Sequence, residues 1–106
     1  MSFPVSCFAE KFLANADRWN DESTLSRDIV DLAFMIAGWD GAAARAGRKI
    51  ATHAYGKTVT ESVRKAAKRL HDGKDYRRRC IAGLGVSDSR TLTRGLAQLA
   101  TLRITA

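Results

Sequence analysis

Apolar residues recur along this chain at intervals of three and four and almost never alternate one by one. That rhythm is the signature of helices rather than strands. Alanine and straight-chain residues dominate, which favours helix further. The pattern predicts an all-α fold, a compact bundle of about five to six helices forming a single helical domain over residues 1–106. A first helix begins near Pro4, with Val5, Phe8, Phe12 and Leu13 on one face, and ends between Asn15 and Trp19. The run Asn20-Asp21-Glu22-Ser23 reads as a polar turn, after which Ser23 or Thr24 can cap a second helix with its hydroxyl. That helix runs to about Ala37, with Leu25, Ile29, Leu32, Phe34 and Ile36 as core candidates, and Gly38 stops it. Asp40-Gly41 opens an alanine-rich third helix, about 41–54, whose small side chains let a neighbour approach closely. A fourth spans about 59–71, with Val59, Val63, Ala66 or Ala67, and Leu70 as its apolar stripe. A short helix follows over about 75–84. Ser87 or Asp88 then caps the last, about 89–102, with Leu92, Leu96, Leu99 and Leu102 inward.

Charge sharpens this outline. The 106 residues carry a formal net charge of +7, unevenly spread. Residues 1–40 hold seven acids and three bases, whereas residues 41–106 hold four acids and fifteen bases. The densest stretch, Lys57 to Arg79, has nine bases and three acids. Such a segment favours polyanions, forms a solvated face, or receives the acidic first part of the same chain. The stretch Leu32 to Trp39 between Asp31 and Asp40 is only eight residues long, against roughly twenty for a membrane span, so no membrane partner is expected. Met1 to Glu10 contains an acid and no base, which does not suit a secretory signal. Two cysteines, Cys7 and Cys80, make no disulfide scaffold, and a reduced cytoplasmic location is the default.

The densest set of chemically capable residues lies between Lys11 and Asp31. Lys11, Asn15 and Arg18 are spaced four and three apart, so they share a helical face able to offer two cations and an amide to a phosphate or carboxylate. Asp28 and Asp31 share another face, and Asp31 lies within an otherwise apolar run. A carboxylate there requires a partner, for which Lys11 and Arg18 are the natural candidates. Residue chemistry alone leaves a structural salt-bridge network and a ligand site both open.

The string Lys-x3-Asn-x2-Arg-Trp from Lys11, followed by Ser-Arg-Asp-x2-Asp-Leu from Ser26, resembles the nucleotidyltransferase-like AbiEii/AbiGii toxin family of type IV toxin–antitoxin systems. Weaker counterparts continue through Ala54-Tyr55-Gly56, Arg79-Cys80-Ile81 and the leucine-rich final helix, all within the C-terminal portion of the family pattern. The resemblance implies that Lys11 binds nucleotide phosphates, with Asn15 and Arg18 at flanking positions. It implies that Arg27, Asp28 and Asp31 form a motif supporting the active site from a helix. The family's upstream Gly-Ser motif and paired metal-binding carboxylates have no counterpart here, as no Gly-Ser dipeptide occurs. No catalytic residue and no metal ligand is therefore assigned. Mg²⁺ and a nucleoside triphosphate are implied only for a complete family member, and this stretch is expected to be inactive alone. The partners expected are a nucleoside triphosphate or RNA, an antitoxin, and either a second copy of the chain or a missing catalytic chain.

Two other readings stand beside this one: a basic helical nucleic-acid-binding module, and a helical oligomerisation or interaction domain without ligand. The nucleic-acid candidates are Arg64, Lys68, Arg77, Arg78, Arg79, Arg90 and Arg94. Gly85 to Arg94 echoes the turn and recognition helix of a helix-turn-helix, although its spacing is one residue off on both sides of the turn. Tyr76 is the one aromatic near the arginine run, too few for a stacking platform. Trp19 and Trp39 read as core or interface anchors. His53 and His71 lack partners at metal spacing.

Overall fold

Six helices and no strand make up the described residues of a computed structural model, namely 3–21, 23, 26–38 and 41–101. The helices are α1 (Phe3–Arg18), α2 (Arg27–Gly38), α3 (Gly41–Tyr55), α4 (Thr58–Asp72), α5 (Lys74–Leu84) and α6 (Ser89–Thr101). The all-helical expectation holds, and each boundary lies within a few residues of its expected place. Thr24, Leu25, Trp39, Asp40 and Leu102, assigned caps or core positions from sequence, lie outside the described residues. No helix among the described residues is long and apolar enough to cross a membrane.

The core follows the expected stripes. Phe8 and Phe12 of α1, Ile29 and Leu32 of α2, Val59 and Leu70 of α4, and Leu92 and Leu99 of α6 are all buried. Val5, Leu13 and Phe34 stay half-buried at the rim of that core. Packing joins the helices in two close couples, α1 with α3 and α2 with α6, and α4 touches members of both. Each couple closes at a glycine. A Cβ at Gly47 would stand 2.5 Å from the Cβ of Phe8 and 2.9 Å from the Val5 carbonyl, so only hydrogen lets α3 lie this near α1. The buried Ala44 and Ala51 flank that crossing, as the small residues of this segment led us to expect. At Gly95 an added Cβ would overlap the carbonyl of Ala33, which brings α6 into backbone contact with α2.

The ends of the helices have local causes. At Gly85 the chain turns left-handed, with φ 70°. Its N–H reaches Ala82 O while the Val86 N–H reaches Ile81 O at 2.9 Å, the paired bonds that close a helix C-terminus. Asp88 then caps α6, as expected, accepting the Thr91 N–H at 3.0 Å.

The start of α2 requires a correction. Ser23 does not cap it; its N–H and hydroxyl both turn back to Asp21 Oδ1, at 2.9 and 2.6 Å. The helix starts three residues later, where Ser26 O accepts the Val30 N–H at 3.1 Å. Ser26 has φ 57°, a left-handed conformation costing a non-glycine residue about 1 kcal/mol. Its hydroxyl meets the Tyr76 hydroxyl of α5 at 2.8 Å, so a tertiary contact holds the turn from which α2 departs.

Candidate functional site

Where the second half of α1 runs alongside the beginning of α2, two cations meet two carboxylates. Asp28 sits in the first turn of α2, where unpaired backbone N–H groups favour negative charge. Arg18 of α1 grips it as a fork: Nε donates to Oδ2 at 3.1 Å and Nη2 to Oδ1 at 2.9 Å. Lys11, two turns earlier on α1, donates to Asp31 Oδ2 at 2.7 Å and stands 3.6 Å from Asp28 Oδ1. The acidic residues of this cluster are thus met by bases of the same first part of the chain.

Exposure within the cluster is unequal. The Asp28 side chain is 3% exposed, whereas Lys11 is 32% and Arg18 51% exposed. The anion lies inside and the cations lie toward water. An ammonium has three donors and a guanidinium five. The carboxylates engage one Lys11 bond and two Arg18 bonds, so each cation keeps donors for an external anion.

Asn15 departs from its companions. It is 1% exposed, and its Nδ2 reaches Ser62 Oγ of α4 at 3.4 Å, while Ser62 Oγ donates to Val59 O at 2.8 Å. At 3.6 residues per turn it is rotated about 40° from Lys11 and about 60° from Arg18, on the side facing the core. The long stems of Lys11 and Arg18 reach sideways to α2, and the short amide cannot. Arg27 is exposed and lines a groove of about 320 Å³ with Asp31 and Phe34 of α2 and the segment from Leu84 to Asp88.

Asp28 and Asp31 do not suit Mg²⁺ in this arrangement, because their near oxygens face an ammonium and a guanidinium. Among the described residues no group of three or more His, Cys, Asp or Glu is placed to hold a metal ion.

The basic candidates of the second half separate into groups. Arg64 and Lys68 of α4 and Arg77 of α5 line one groove of about 460 Å³. Arg78 is 3.7 Å from Asp75, and Arg79 lies 5.4 Å from the centre of the Tyr76 ring, with Arg69 at 4.2 Å from the same ring. Arg90 and Arg94 are exposed on α6, whose opposite side buries Leu92, Leu96 and Leu99. Lys65 lies 5.6 Å from the half-buried Trp19 ring, which packs against the core as expected.

Sequence reasoning missed the Ser26–Tyr76 link. The only available signal was the serine opening the Ser-Arg-Asp string, and nothing in it points fifty residues ahead. Burial raises the Tyr76 phenol above its usual range, opposed by the Ser26 bond and assisted by the neighbouring Cys80 thiol. Elsewhere, burial lowers the Arg48 guanidinium, with Arg45 beside it acting in the same direction. The side-chain and backbone bonds from Thr91 lower Asp88.

No curated protein and no solved structure matches the chain. A family model described as the nucleotidyl transferase AbiEii toxin of the type IV toxin–antitoxin system matches residues 4–94, which include the whole Lys11–Asp31 cluster. The chain therefore belongs to the AbiEii nucleotidyl transferase toxin family.

Proposed function

We propose that these helices form the nucleotide- and substrate-binding portion of a nucleotidyltransferase-like toxin, and that they do not catalyse transfer alone. The observation that carries this reading is the Lys11 ammonium, held by Asp31 at 2.7 Å while a third of its side chain stays in water. A lysine fixed by a carboxylate from a second helix presents its remaining donors from a set position, which suits binding of a phosphate oxygen. Arg18, locked in register by the buried Asp28, adds a second donor group along the same helix. Arg27 and Asp31 carry the cluster into the groove beside α2, where a substrate group can lie. We infer no step through Mg²⁺, since the two acids are already committed to cations. As part of a toxin–antitoxin pair the protein would work in the cytoplasm, where nucleoside triphosphates are held, opposite an antitoxin.

Calorimetric titration with a nucleoside triphosphate tests this. Saturable binding is expected, weakened about tenfold in Lys11→Ala through loss of one charge-assisted bond. Absence of binding, or an affinity unchanged by Lys11→Ala, would overturn the reading.

A further inference from the structure

The groove between α4, α5 and α6 has a different construction from the Lys11 cluster and involves other elements. Its floor is methyl-rich: Ala67 of α4 and Leu96, Ala97 and Ala100 of α6. Arg64 and Lys68 stand along α4, one turn apart, and Arg77 joins them from α5. Among the described residues no carboxylate lines this groove. Arg77 is positioned by donating to the Thr93 hydroxyl, which itself donates to Ser89 O at 2.9 Å.

We propose that this groove docks an acidic amphipathic helix of a partner protein. Two features of the groove select that occupant. Among the described residues, the exposed alanines at 97 and 100 put only methyl groups in the path of a second helix, whose apolar face would rest on them. The cations of α4 are spaced by four residues, about 6 Å along the axis, which matches acids at i and i+4 on the incoming helix. A nucleic-acid strand fits less well, because its bases stack on aromatic faces and its sugars require polar partners, and the floor offers methyl groups.

Fluorescence anisotropy with a labelled, designed helical peptide tests the proposal. The peptide carries Ala and Leu along one face and Glu at i and i+4 along its edges. Binding is expected to saturate and to weaken about tenfold for a scrambled peptide of the same composition. A similar loss is expected in an Arg64→Glu, Lys68→Glu double variant. Ala97→Phe, which fills the floor without changing charge, is expected to weaken binding as much. All of these positions are exposed, and circular dichroism checks that the variants keep their helices. No saturable binding, equal binding of the scrambled peptide, or indifference to Ala97→Phe would each overturn the proposal. A single-stranded oligonucleotide that binds more tightly than the peptide and loses affinity in the Arg64→Glu, Lys68→Glu variant would instead make this a nucleic-acid surface.

Discussion

Asp28 is almost closed off from water, and both cations that answer it remain partly in it. The cluster is therefore asymmetric in what its members lose. Removing Lys11 or Arg18 singly leaves the carboxylate with the other, and each such change is expected to cost about 1 kcal/mol after solvent screening. Removing both strands a buried charge, with a cost of about 3 kcal/mol or more. Urea denaturation of the Lys11→Ala, Arg18→Ala double variant checks this, and adding Asp28→Asn should return part of the loss. Strictly additive single effects, with no recovery, would mean that the carboxylate does not depend on its cations. The cluster was legible only in part: the acid inside the apolar run, Asp31, does meet Lys11 but stays half-exposed, whereas the buried carboxylate is Asp28, and Arg18 goes to it. Asn15 was misjudged because helical spacing gives an angle around the axis, while the depth of a residue depends on the length of its side chain and the neighbour on that side.

Among elements, the two glycine crossings decide the packing. Gly95→Ala places a methyl against the Ala33 carbonyl, which must move for α2 and α6 to stay together. We expect a loss of about 3 kcal/mol, measured as a lower denaturation midpoint with an unchanged slope. Full stability in this variant would mean that the helices do not meet there. The close approach of the alanine-rich α3 could be expected from its composition. The role of Gly95 could not, since a glycine inside a leucine stripe gives no sign of which backbone it will meet. Helix boundaries were legible wherever the signal was local, as at the stops Gly38 and Gly85 and the cap Asp88. The start of α2 was misplaced because several hydroxyl residues compete in that run, and the choice is made by a contact with α5.

Across the whole molecule, protection is uneven. Helix α4 buries six residues, from Val59 to Leu70, whereas α5 buries one, Cys80, and rests mainly on α4. Local opening is cheapest where few apolar contacts resist it. Hydrogen exchange should therefore release the α5 amides before those of α4, and equal protection of the two would count against this packing. The charge asymmetry along the chain was legible, and so was the class of fold. The convergence of Arg64 and Lys68 with Arg77 was not, because it depends on how α4 and α5 lean together.

The bonds of the charged cluster span short stretches of chain. Arg18 meets Asp28 ten residues on, and Lys11 meets Asp31 twenty residues on, but Ser26 waits fifty residues for Tyr76. During synthesis the first two contacts can close as soon as α2 clears the ribosome. The left-handed turn ahead of α2 gains its brace only after α5 has emerged. A nascent chain thus holds its ionic clasp well before it holds the strut that fixes where the second helix sets out.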